Sequence, residues 1–527
     1  MRIELLLKRF ASTVATLIGV LQFASCPVNL CAQATVALPR TDFDDPTATV
    51  DRFIDAKLTA DERALAKRSD DAEFCRRVWL DLAGVAPPIW ELREFLADRD
   101  VEKRTRLIDR LIASPRFASH MATRFTHSIL PSDSEAIRGN DSDELREWLR
   151  RAFVENKPYD HMVGAFLTAG GATDSGPAIF YTSRDADPVK VAAATSRLFL
   201  GIRIDCAQCH DHPFADWTQD DFWSFAAFFS QLQVDSQNGS SATAIEDRIG
   251  KELTYPESDR IAEPRYLGVD EIPEPDPGNL RRRQLTIWLA SRSNPYFARA
   301  AVNRVWAHLF GRGIINPIDE LDSMSLATHP ELLEYLSEYF TQTRFDLTKL
   351  YRVIAKTNAY QRTSQTESSR PAIDSYALML PKTLSAEQYF DTIAQNVIRQ
   401  RFDGSIESER GEQLRRLFVQ RMRNSGATPL EYPHGVVQAL GMMNGPEMMS
   451  ATANENGLLA SIEAPFYDDS QRIEALFLAC VSRKPTSEEA QRFTDYLNDA
   501  SIEATRQERL GDLVWVLANS AECFSCP

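Results

Sequence analysis

The chain is short of basic charge, short of cysteine and, beyond its first residues, without a long apolar run. Each shortage removes a class of function. Lysine and arginine number 59 against 75 aspartates and glutamates, a formal net charge of −16. Nucleic acid and anionic lipid attract cationic surface and repel a chain like this one, so no nucleic-acid partner is expected. The run Arg281-Arg282-Arg283 reads as the solvated first turn of a helix and does not change that expectation. Eight cysteines in 527 residues are too few for a disulfide-stapled scaffold. No stretch after the N-terminus approaches the ~20 apolar residues that span a bilayer, so the mature chain should have no transmembrane segment. A Gly-X-Ser-X-Gly elbow, a P-loop and a His-Glu-X-X-His helix are also missing, which removes the commonest hydrolase, nucleotide and zinc-protease signatures.

What is present begins with a leader. Arg2, Lys8 and Arg9 give a positive start, Ala11 to Ala24 is uncharged and mostly apolar, and Ala32-Gln33-Ala34 is a cleavage pattern. Residues 1–34 therefore read as a secretory signal peptide, and the mature protein is expected to be periplasmic or extracellular. Phe23-Ala24-Ser25-Cys26 loosely resembles a lipobox, which makes lipid anchoring at Cys26 the alternative. Cys26 and Cys31 leave with the leader. Cys75, Cys206, Cys209, Cys480, Cys523 and Cys526 remain, in an oxidising compartment.

Helical periodicity sets the fold class, mainly α, with two helical domains joined by a proline-rich irregular linker. The first domain is read as 46–232. Asp70 with Glu73 caps a helix carrying Phe74, Val78 and Leu82, and Gly84 ends it. Asp141 with Glu144 caps another. Asp187-Pro188 opens a helix of small residues that Gly201 stops, and Thr218 with Asp221 caps a helix whose Phe222, Phe225 and Phe229 face the core. Residues 233–279 lose all period and collect Pro256, Pro264, Pro273, Pro275 and Pro277. They read as a linker or small insert with room for a few short strands. Period returns over 280–522, the second domain, with Leu285, Trp288 and Leu289 on one face and Phe297, Ala301, Val305 and Leu309 on another.

The segment that carries chemistry is Asp205-Cys206-Ala207-Gln208-Cys209-His210-Asp211-His212-Pro213-Phe214. Cys-X-X-Cys-His is the attachment pattern of c-type haem. Cys206 and Cys209 would bond the porphyrin and His210 would be the axial ligand. Two readings compete. His210, His212 and Asp211 offer ligands for zinc or non-haem iron, and a Cys206–Cys209 bridge would be purely structural. For a sixth haem ligand the sequence offers Met442, Met443, Met448, Met449, His308 and His434. Cys523-Phe524-Ser525-Cys526 is a second Cys-X-X-Cys without a following histidine, and reads as a frayed terminal bridge.

The chain resembles the exported planctomycete cytochrome-like family, in which a cytochrome-like domain of unknown function (PSCyt type) precedes a planctomycete-specific domain (PSD type). The first half of the resemblance rests on Arg76-Arg77-Val78-Trp79-Leu80-Asp81-Leu82-Ala83-Gly84, Leu111-Ile112-Ala113-Ser114-Pro115-Arg116-Phe117, Asn156-Lys157-Pro158-Tyr159-Asp160 and the cysteine motif. The second half rests on Asn294-Pro295-Tyr296-Phe297-Ala298-Arg299-Ala300, Val302-Asn303-Arg304-Val305-Trp306, Gly311-Arg312-Gly313-Ile314, His329-Pro330-Glu331-Leu332-Leu333 and Leu384-Ser385-Ala386-Glu387-Gln388. The resemblance implies a cytochrome-like protein. The expected function is then an exported single-haem electron carrier or redox subunit working with a redox partner protein. A non-haem metal enzyme and a non-catalytic binding or scaffold protein are the alternatives.

Overall fold

The computed structural model describes residues 45–61, 65–131, 140–172, 176–212, 215–236, 243–269, 278, 280–292, 294–365, 373–399, 406–422, 445–452, 457–501 and 503–527. The leader, its cleavage site and Cys26 lie outside them. The protein is mainly α, as the periodicity predicts, with an antiparallel three-stranded sheet and one two-stranded pair as its β-structure among the described residues. No helix among them is long and apolar enough to cross a membrane.

Local signals place the elements well. Asp70 accepts the Glu73 N–H and starts the Asp71–Ala83 helix, and Gly84 ends it at φ +72°. The other half of that capping box is absent, because the Glu73 carboxylate is bound by Arg77 and Thr363. Asp187 accepts the Val189 N–H with Pro188 in the first turn, and Gly201 closes the following segment at φ +67°. Thr218 and Asp221 form a complete capping box. Phe222, Phe225 and Phe229 are fully buried, each stabilising the fold by roughly 1.5–3 kcal/mol relative to exposure.

Beyond residue 42 the described chain forms one compact unit with two apolar clusters. One cluster runs from Val50 to Met379 and takes in Leu478. The other is built from Leu384 to Cys526 and takes in Leu80 and Ala86. The Asp71–Ala83 helix joins them. From Phe74 to Ala83 it is buried on every side, so its polar residues do not form the wet face that an amphipathic reading implies. Arg76 donates to the carbonyls of Cys480, Glu522, Cys523 and Ser525. Arg77 donates to the carbonyls of Tyr360, Arg362 and Pro527. Asp81 accepts from Lys382 Nζ at 2.5 Å and Tyr360 OH at 2.8 Å. Satisfying each buried charge with several partners is what makes such a helix tolerable in a core.

Within residues 233–279, the described part packs into the fold. Leu232–Ser236 and Thr243–Asp247 form an antiparallel hairpin, extended by Gly171–Ala172. Tyr255, Ala262, Tyr266 and Leu267 are buried in the first cluster, with Tyr266 stacked on Trp288 at 4.6 Å. The three arginines do open a helix, Arg281–Leu289, and Arg283 is exposed as a solvated turn implies, but Arg282 is not. Arg282 is buried, forks onto Asp247 at 2.7 and 2.6 Å and donates to the Leu167 and Ala169 carbonyls. Arg281 reaches Ser230 and Glu252. A second correction concerns the last residues. Cys523 and Cys526 are buried and unbridged, and Ser525–Cys526 pairs with Lys382–Thr383 as a short antiparallel ladder. Held in addition by Arg76 and Arg77, this segment is part of the core and not a frayed bridge.

Candidate functional site

The cysteine motif sits between the segment that ends at Gly201 and the Gln219–Ala226 helix. Two features fix its approach. A Cβ at Gly201 would meet Leu321 Cδ1 at 2.4 Å, so only glycine lets the chain pass that close. Ile202 bridges Glu320, and the Leu321 N–H donates to the Gly201 carbonyl at 2.9 Å. The motif then makes one 3-10 turn, Asp205–Gln208, with Cys209 at its end. Ala207 anchors the turn in the core, whereas Cys206 and Cys209 are exposed and unbridged. In a 3-10 turn, side chains three residues apart eclipse, so both thiols are presented on one side.

The backbone of the motif is held by the following helix. Gln219 Nε2 donates to the carbonyls of Gln208 and Cys209 at 3.2 and 3.3 Å, and Trp223 Nε1 donates to Gln208 O at 3.1 Å. The His212 N–H donates to the Trp217 carbonyl at 2.7 Å. Trp217 is itself fixed by Asp322, at 2.6 Å from its Nε1. Asp211 is exposed, and its Oδ1 accepts the Gln219 N–H at 2.9 Å. His210 is exposed, and its Nδ1 lies 2.8 Å from the Asp211 carbonyl. A carbonyl can only accept, so Nδ1 is the donor of this bond, and in the neutral ring Nε2 is then the nitrogen with the lone pair.

Cys206, Cys209 and His210 are thus brought together on one surface turn. Asp211 works as a helix cap, and His212 is half-buried beside it. Among the described residues, no group of three or more His, Cys, Asp or Glu side chains is arranged to hold a metal ion. The candidate sixth ligands are not gathered at the motif. His308 is buried 3.0 Å from Tyr351 OH and lines a cleft to which residues 205–212 contribute nothing. Met448 is buried in the second apolar cluster, and Met449 is exposed. Met442, Met443, His434, Pro213 and Phe214 lie outside the described residues.

Burial sorts the six cysteines. It pushes the Cys523 thiol up to about 11 and that of Cys526 to about 12, and moves Cys75 and Cys480 upward as well. Thiols held protonated in an apolar interior are poor nucleophiles. Cys206 and Cys209 are the exposed pair. Sequence reasoning missed the supporting residues Gln219, Trp223 and Asp322. Gln219 reads as an ordinary first-turn residue, Trp223 as core, and Asp322 lies 105 residues from the tryptophan it holds.

Residues 49–234 match the family model PSCyt2, described as a protein of unknown function (DUF1549), and residues 281–400 match PSD1, described as a protein of unknown function (DUF1553). Together the matches cover more than half of the 527 residues, in the order the resemblance implies. The chain carries a PSCyt2 region followed by a PSD1 region. The cysteine motif falls inside the PSCyt2 match, and the Phe297–Phe310 helix, which carries His308, falls inside the PSD1 match. Comparison with curated proteins and with solved structures gave no match.

Proposed function

We propose that this chain is an exported, c-type-cytochrome-like redox protein that carries one haem at Cys206, Cys209 and His210 and exchanges electrons with a partner protein. The observation that carries the reading is the bond from His210 Nδ1 to the Asp211 carbonyl, beside two exposed, unbridged thiols on a single turn. That bond fixes the tautomer and orients the ring so that Nε2 is free to ligate iron, the arrangement that second-shell carbonyls provide to metal-bound histidines. The donor set fits the group: two thiols for the thioethers and one imidazole for the iron. Haem held there supplies one-electron chemistry. The chain's own part is to hold the turn rigid through Gln219 and Trp223, to orient His210 and to keep the site at the surface, within reach of a partner.

Asp211 counts against the competing metal reading, since one of its oxygens is already engaged in capping. Export follows from the leader and suits covalent haem attachment, placing the mature protein in the periplasm or outside the cell. The test is expression in a host that exports and matures c-type cytochromes. His210→Ala should change the spectrum and lower haem content, whereas His212→Ala and Asp211→Asn should leave the spectrum unchanged. Equal losses of metal in all three, without haem, would replace this reading with a non-haem metal site.

A further inference from the structure

A second site lies in the interior, away from the cysteine motif. A cleft of about 760 Å³ opens where the Pro115–Ile129 helix meets Gly84, His308 and the Lys382–Thr383 strand. Arg124, half-buried, is one of the cations that line it. Several buried arginines among the described residues are held by carbonyls or carboxylates. Arg76 and Arg77 hold backbone carbonyls, Arg184 holds the Phe180 and Ile129 carbonyls, and Arg282 forks onto Asp247. The Arg124 guanidinium has no hydrogen bond or ion pair with any described residue. Burial disfavours its charge, and the fields of Tyr351 and Asp81 favour it.

The groups around Arg124 leave that charge uncompensated. Asp81 is engaged by Lys382 and Tyr360. Asp391 is held in a bidentate pair by Arg415, and Glu387 lies 3.4 Å from His127. One turn before Arg124, His120 presents a buried Nε2 with no hydrogen-bond partner. Burial, reinforced by Arg124, holds His120 neutral, its pKa pushed down to about 3. Its ring occupies space that only a glycine leaves open, because a Cβ at Gly84 would approach His120 Nδ1 to 2.4 Å. His308 stands beside it, the two ring centroids 5.8 Å apart. An unpaired guanidinium and an unsatisfied imidazole nitrogen at the wall of a cleft cost stability. A ligand that meets both removes that cost.

We infer that this cleft binds a small molecule through an oxyanion group, whether carboxylate, sulfate or phosphate, with Arg124 as its charge partner and His120 Nε2–H as a hydrogen-bond donor. A guanidinium recognises such groups by paired, charge-assisted hydrogen bonds, and the cleft's volume leaves room for the molecule that carries the oxyanion.

The test titrates the full mature chain with inorganic phosphate, sulfate and acetate at constant ionic strength, reading the melting temperature and the heat of binding. At least one anion should raise the melting temperature in a saturable way, and the anion that does so identifies the group. Arg124→Met should weaken that anion at least about tenfold. Without anion it should melt no lower than the parent, because no protein contact is lost. Arg124→Lys should keep part of the response, and His120→Gln, which retains a donor, should weaken binding less than His120→Ala. No response to any of the three anions would overturn the inference. So would an Arg124→Met protein that binds as the parent does, or one that melts far below it or fails to fold, since the guanidinium would then be structural.

Discussion

Arg76→Met tests whether the last residues of the chain belong to the core. The Arg76 guanidinium is buried and makes five bonds, at 3.2 Å to Ser525 O, 3.2 Å to Cys480 O, 3.1 Å to Ser482 Oγ, 3.3 Å to Glu522 O and 2.9 Å to Cys523 O. Methionine fills much of the same volume but donates nothing. At about 1.5 kcal/mol for each of these bonds to a charged donor, the gross loss is ~7.5 kcal/mol. Burying a cation with no carboxylate beside it costs several kcal/mol, and the substitution relieves that cost. The net destabilisation should be about 3–4 kcal/mol. A unit of nearly 500 residues unfolds with an entropy of about 1 kcal/mol per kelvin, so calorimetry should show a fall of ~3–4 °C. Cys523 and Cys526 provide a second readout. Both are buried in the parent and should resist a thiol reagent, then react in the variant well below its melting temperature. An unchanged melting temperature with both thiols still protected would refute the reasoning.

Gly84→Ala should destabilise by about 2 kcal/mol or more in chemical denaturation, since it combines φ +72° with an approach of 2.4 Å to His120 Nδ1. Arg282→Met should cost roughly 3–5 kcal/mol locally, seen as faster amide exchange in Leu232–Ser236 and Thr243–Asp247, because Arg282 ties Asp247 to the Leu167 and Ala169 carbonyls. Hydrogen bonding by Arg483 draws the Glu489 carboxyl from 4.5 down to about 2. The folded value lies below the unfolded one, so this contribution is present above pH 4.5 and is lost as pH falls toward 2. Stability measured across that window should fall less steeply in Arg483→Leu than in the parent.

Helix starts and stops are legible in this sequence because they depend on neighbours. The Asp187-Pro188 opening, the stops at Gly84 and Gly201, and the Thr218–Asp221 box each act within a few residues, and all are found where the sequence puts them. Burial of charged residues is not local and leaves no such signal. Arg76 meets partners 404 and 447 residues along the chain, and Arg282 meets Ala169 across 113 residues. Nothing near either arginine separates it from a solvated one. The cysteine motif was legible as a cluster of thiols and imidazole. That His210 Nδ1 meets the Asp211 carbonyl, and that the Asp211 carboxylate accepts the Gln219 N–H, follows from a turn geometry that the pattern alone does not specify. Arg124 and His120 were illegible for a further reason, since an i, i+4 Arg–His pair on a helix looks like a wet face until Gly84 and His308 close over it.

The central claim is covalent haem at Cys206 and Cys209, and the most direct measurement is the visible spectrum of the natively exported protein before and after full denaturation. Thioether bonds survive unfolding, so the account predicts a haem spectrum that stays with the polypeptide in denaturant and disappears when both cysteines are replaced by serine. Colourless protein from a host competent in cytochrome maturation would contradict it, as would haem that separates from the chain on unfolding.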